Sequence, residues 1–230
     1  GERTVRLDTA GVSLEATLEA PDNAAGIILF AHGSGSSRFS PRNRFVAEVL
    51  RGGGLATLLL DLLTPPEEAA DAVTHHIRFD IELLSERLVG AIDWIGEHES
   101  LPNSDPLPIG LFGASTGAGA ALVAAAQRPH EVRAVVSRGG RPDLAGDALR
   151  RVSAATLMIV GGLDDVVIEL NRQAMREMQK QTHPPEVQLA IVPGATHLFE
   201  ERGTLEQAAY LARDWFVSHL HSNVSAPTLT

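Results

Sequence analysis

Apolar positions in this chain follow two rhythms. Short continuous apolar runs recur at Gly26–Ala31, Leu55–Leu60, Pro108–Phe112, Val132–Val136, Thr156–Val160 and Val187–Val192. Runs of this kind predict strands buried on both faces, as in a parallel sheet. Longer amphipathic stretches lie between them. Arg42–Arg51 follows a Ser40–Pro41 helix-start signal. Ile77–His98 places Ile81, Leu84, Leu88, Ile92 and Ile95 at helical spacing, and Ser115–Gln127 is rich in alanine. Val166–Lys180 and Leu205–His219 complete the helical set. The first twenty residues instead alternate around Gly11, with Val5 and Leu7 before it and Val12, Leu14, Ala16 and Leu18 after it. That pattern predicts an antiparallel hairpin. Together these elements predict an α/β fold, with a mostly parallel sheet, an antiparallel N-terminal edge and helices on both faces. Thr64–Asp71 reads as a polar loop. Residues 1–221 are expected to form one domain, and 222–230 a flexible tail.

Composition narrows the function classes. The chain has 230 residues, 44% hydrophobic and 21% charged, which excludes a disordered or fibrous protein. No apolar run approaches the roughly 18–20 residues of a membrane helix. The longest, Leu55–Leu63, is interrupted by Asp61. Gly1–Glu2–Arg3 does not begin a charged-then-apolar signal segment. Nineteen basic against 29 acidic residues give a net charge of −10, which argues against nucleic acid or an anionic membrane as partner. With no cysteine, disulfides, thiolate nucleophiles and Cys-ligated zinc are excluded. These features fit a cytoplasmic monomer or homodimer acting on a small molecule. His75–His76, His219 and His221 lack an evident third ligand in sequence, so no metal or other cofactor is expected.

The strongest chemical signal is Gly113–Ala114–Ser115–Thr116–Gly117, a G-x-S-x-G string directly after an apolar strand and opening an Ala-rich helix. A serine at such a junction sits on a sharp turn with its hydroxyl raised above the sheet edge. A serine needs a base, and His197 follows the last predicted strand. An acid must orient that base, and Asp164 and its neighbour Asp165 follow the strand at Thr156–Val160. Asp164, at the turn before the helix, is favoured. The chain order Ser115, Asp164, His197 is nucleophile, acid, base, and each falls after a different strand at one sheet edge. Backbone N–H groups of Thr116 and Ser34 are the candidate oxyanion donors. His32 is expected to brace the loop that carries Ser34. Arg138 and Arg141 follow another strand end and are candidate pocket residues.

These residues resemble the dienelactone hydrolase-like branch of the α/β-hydrolase superfamily. The carrying motifs are His32–Ser37, Gly113–Gly117, Gly161–Asp164 and Gly194–Phe199. The resemblance implies an α/β-hydrolase fold and a carboxylic ester hydrolase with Ser115, Asp164 and His197 at the catalytic positions. The namesake enzymes have Cys where this chain has Ser115. They also have Arg four residues after the catalytic His, where Glu201 stands here as a further candidate pocket residue. Only about 20 residues separate the strands ending at Val136 and beginning at Thr156, which is room for one small helix and no cap domain. The site is therefore expected to be open, with Thr64–His76 as a flexible wall. A thioesterase, peptidase or perhydrolase using the same three residues, or a non-catalytic binding module on this fold, remains an alternative at this point.

Overall fold

The computed structural model describes residues 1–33, 36–99 and 105–220. Eight strands form one sheet: β1 (Glu2–Thr9), β2 (Val12–Glu19), β3 (Ile27–Ala31), β4 (Ala56–Leu60), β5 (Ile109–Ala114), β6 (Val132–Arg138), β7 (Ala155–Gly161) and β8 (Val187–Val192). Their order is β1-β2-β4-β3-β5-β6-β7-β8. The β1–β2 and β2–β4 pairings are antiparallel, and every pairing from β4 to β8 is parallel. Six α-helices accompany them: α1 (Pro41–Gly52), α2 (Pro65–Thr74), α3 (Ile81–His98), α4 (Thr116–Gln127), α5 (Asp165–Met178) and α6 (Thr204–His219). Residues 222–230, read from sequence as a tail, lie outside the described residues.

Strand alternation divides the core into two layers. Leu29, Leu111 and Val135 point to one face and pack with Leu88 and Ile92 of α3, Ala121 of α4 and Met178 of α5. Ile28, Phe30, Phe112 and Val136 point to the other and pack with Leu50 of α1 and Phe216 of α6. Because β3, β4 and β5 are buried at every position, their side chains are apolar except for Thr57, which is why the sequence shows runs there. The parallel strands all end at one edge, and the loops leaving that edge meet.

Two segments differ from expectation. Thr64–Asp71 is not a loop but the start of α2. The Thr64 hydroxyl accepts from the Glu67 N–H at 3.4 Å, and the Glu67 carboxylate accepts from the Thr64 N–H at 2.8 Å. This capping box, with Pro65 and Pro66 in the first turn, outweighs the polar composition. The helical stretch Ile77–His98 is broken at Asp80. Ile77–Phe79 form a single 3₁₀ turn, and the Asp80 carboxylate accepts from the Leu83 N–H at 3.1 Å to start α3. The insertion after β6 is a 3₁₀ segment, Pro142–Arg151, kinked at Gly146, and among the described residues it adds no cap over the sheet edge.

Glu67 also fixes α2 to α3. Arg87, buried on α3, donates to both Glu67 oxygens and, at 2.8 Å, to the Leu62 carbonyl. The hydrogen bonds from Arg87 hold the Glu67 carboxyl down to about 2. A depressed carboxyl pKa contributes stability that is complete above its ordinary value of 4.5 and lost as pH falls towards 2. Thermal melts across that window should show the wild-type melting temperature falling with acid more steeply than that of Glu67→Gln.

Candidate active site

Ser115 lies between the last residue of β5 and the first of α4. Its backbone has φ 53° and ψ −127°, a conformation disfavoured for a residue with a Cβ. The surroundings enforce it. A Cβ on Gly117 would stand 2.2 Å from the Ala31 carbonyl oxygen, and one on Gly113 would stand 2.6 Å from the Ala118 Cα. The two motif glycines thus let α4 pack against β3 and β5 while the turn between them stays sharp. The Ser115 carbonyl accepts from the Ala118 and Arg141 N–H groups at 3.2 and 3.0 Å, which ties the turn to the loop after β6. Buried Asn171 of α5 donates to the Gly140 carbonyl at 3.1 Å and holds that loop in turn.

The loops after β7 and β8 run together. Gly162 N–H donates to the Val192 carbonyl at 2.8 Å, and Leu163 N–H to the Ala195 carbonyl at 3.0 Å. Across this seam the His197 Nδ1–H donates to Asp164 Oδ2 at 2.7 Å. Asp165 stands exposed in the first turn of α5, where its charge favours the helix N-terminus. Glu201 is not among the residues that line the cavity beside Ser115. Its carboxylate accepts from the Thr196 N–H and hydroxyl, both at 2.6 Å, and so braces the residue before His197. Those hydrogen bonds lower its pKa.

His197 and Ser115 border one cavity of about 80 Å³. Arg138 borders it too, whereas Arg141 is turned away into an ion pair with Asp143 at 2.8 Å. Among the described residues Ser115 and His197 share no direct hydrogen bond. A neighbouring cavity of about 360 Å³ is lined by Thr116, His32, Leu63 and Asp71, and the two spaces meet at Gly33 and Ser36. A separate cavity of about 390 Å³ runs along α1 among ion-paired residues such as Arg51 and is not lined by Ser115, Asp164 or His197. Ser34 lies outside the described residues. His32 is buried. Its Nε2 accepts from the Leu62 N–H at 3.3 Å and its Nδ1–H donates to the Gly33 carbonyl at 3.2 Å. Burial pulls its pKa down, so the neutral ring that makes both bonds is favoured.

Sequence reading missed Arg42, Ser36 and Asn43, which line the smaller cavity from the start of α1 and the loop before it. The His32–Ser37 motif and the Ser40–Pro41 signal marked that region, but neither says which way these side chains point.

Fold and loop placement together define an α/β-hydrolase. The chain belongs to the dienelactone hydrolase family, whose model matches residues 14–220. A solved dienelactone hydrolase from Anabaena variabilis is 56% identical, with a TM-score of 0.89 over 96% of this chain and 99% of that one. Two Mycobacterium tuberculosis proteins named "Putative phosphoribosyl transferase" are 57% identical over 219 residues, covering 95% of this chain and 47% of each of them. The chain therefore spans about half the length of those relatives. Est1E from Butyrivibrio proteoclasticus, 15% identical, shares the fold with a TM-score of 0.74 over 94% of this chain and 98% of that one. No described helix is long and apolar enough to cross a membrane.

Gly117→Ala should destabilise the protein by about 3 kcal/mol, since its methyl group meets backbone that cannot rotate away. Urea unfolding monitored by circular dichroism measures this.

Proposed function

We propose that this chain hydrolyses small carboxylic esters through an acyl-enzyme intermediate. In this reading Ser115 Oγ attacks the ester carbonyl carbon while His197 Nε2 takes the hydroxyl proton. The oxygen made anionic in the tetrahedral intermediate is held by backbone N–H groups, for which Thr116 and Ser34 are the candidates. Collapse breaks the carbon–oxygen bond to the alcohol, which leaves with the proton from His197. A water molecule then repeats the sequence on the acyl-enzyme and releases the acid. Asp164 keeps the Nδ1 proton in place and stabilises the imidazolium between the two proton transfers.

The observation that carries this reading is the 2.7 Å Asp164–His197 hydrogen bond beside a cavity that the strained Ser115 turn also borders. Hydrogen bonds between nucleophile and base commonly tighten only around bound substrate. The family match over residues 14–220 favours hydrolysis for this chain, which spans about half the length of the mycobacterial relatives with the transferase name. The two modest, uncapped cavities favour short acyl and alcohol groups.

Ser115→Ala should lower turnover of short 4-nitrophenyl esters by about 10⁴-fold or more and abolish labelling by a fluorophosphonate probe. Undiminished turnover would remove Ser115 from this role. Asp164→Asn should cost about 10⁴-fold in kcat, because the amide favours the wrong imidazole tautomer. Asp165→Asn should change kcat by less than about threefold if Asp165 only serves the helix end. Equal losses in the two variants would contradict the assignment of the acid.

A further inference from the structure

The cavity beside Ser115 is cationic in a chain with a net charge of −10. Arg138, the last residue of β6, is only 6% exposed. It has no acidic partner among the described residues, and its Nε is buried without a hydrogen bond. Its guanidinium carbon lies 5.6 Å from the centre of the Phe199 ring, which supports it from one side. Arg42, in the first turn of α1, lines the same cavity and makes no ion pair among the described residues. No Asp or Glu is found among the described residues lining this space. Buried Asn43, with its Oδ1 unpartnered, completes the wall at the N-terminus of α1.

Such an arrangement is costly to keep for folding alone. Arg87, the other buried arginine among the described residues, is paired with Glu67. A buried cation without a partner destabilises the fold unless something else neutralises it. Burial, and then the nearby Arg42 charge, pull Arg138 down to about 10, so it remains charged at neutral pH. Two guanidinium groups and the positive end of a 12-residue helix converge on a space of about 80 Å³. Their combined charge exceeds what a monoanion neutralises and matches a small dianion. The neighbouring cavity differs, because it includes Glu68 and Asp71 and its Arg78 is already paired with Asp71.

We propose that Arg42 and Arg138 form a subsite for a phosphate-type dianion carried by the substrate, beside the ester that Ser115 attacks. This proposal rests on the ester hydrolase reading above and adds the class of substrate. The guanidinium N–H groups of Arg42 and Arg138 are the donors such a group needs.

Direct binding separates the two claims. Inorganic phosphate is titrated into wild type and Ser115→Ala by calorimetry, at constant ionic strength set with chloride. Both proteins should bind phosphate at millimolar concentration or tighter, and acetate should bind more weakly. Absence of phosphate binding, or equal binding of acetate, overturns the subsite and leaves the hydrolase reading untouched. Phosphate binding without Ser115-dependent turnover of any ester supports the subsite and removes the hydrolase reading.

Turnover then tests the substrate-borne placement. Two esters of the same phenol are compared, 4-nitrophenyl 3-phosphonopropionate and 4-nitrophenyl propionate. The phosphonate ester should be the better substrate by about 100-fold in kcat/KM, as expected of charge-assisted hydrogen bonds to two arginines. That ratio should fall by at least about 10-fold in Arg42→Gln and in Arg138→Met. An unchanged ratio in both variants overturns the proposal. Arg138→Met should also melt at or above the wild-type temperature, because it removes an unpaired buried charge. A clear loss of melting temperature with phosphate binding retained would show Arg138 to be structural and overturn its role here. Arg42→Gln, on a partly exposed residue, keeps the test decisive if Arg138→Met does not fold.

Discussion

The turn at Ser115 is the constraint on which the site depends. A residue with a Cβ is held at positive φ because β5, α4 and β3 approach too closely for any other path. Such a conformation costs of order 1–3 kcal/mol and persists only where packing on all sides imposes it. Here the packing is supplied by apolar layers on both faces of the sheet, so the core and the raised hydroxyl are parts of one mechanical arrangement. The loop after β6 adds a second hold by donating to the Ser115 carbonyl, and Asn171 fixes that loop. Strain at the serine is thus distributed over three strands and two helices.

The remaining groups are positioned by contacts between loops. Residues 161–164 and 192–197 are far apart in sequence, yet backbone hydrogen bonds join them into one ridge. That ridge lets a side chain after β7 meet one after β8 at 2.7 Å. A parallel sheet makes this possible because its strands all deliver their C-terminal ends to the same edge.

Much of this was legible in the sequence because the responsible interactions are local or periodic. The buried strands showed as apolar runs, the hairpin as alternation, and the sharp turn as a G-x-S-x-G string between a strand and a helix. The place of Asp164 just before the helix, with Asp165 inside its first turn, was likewise readable. The capping box of α2 was also written in the chain, as Thr64–Pro65–Pro66–Glu67, but its polar residues resembled a loop more than a helix. What could not be read depends on which way side chains point across the fold. Arg138 ends β6 and Arg141 comes three residues later, yet one borders the cavity beside Ser115 and the other pairs with Asp143. Arg42 lies more than seventy residues from Ser115 in sequence, and no spacing rule connects them.

The Thr196–Glu201 contact bears on how recognition can change within this family. At a position where the resemblance implies Arg in the namesake enzymes, this chain uses an acid to tether the neighbour of His197. Grafting the basic residue back would therefore alter two properties at once, the local charge and the anchoring of the imidazole. Diversification of ligand preference is consequently more accessible on the opposite wall, where side chains from β6 and α1 border the serine without supporting the imidazole. The tether makes one side of the cleft conservative and leaves the other free to drift.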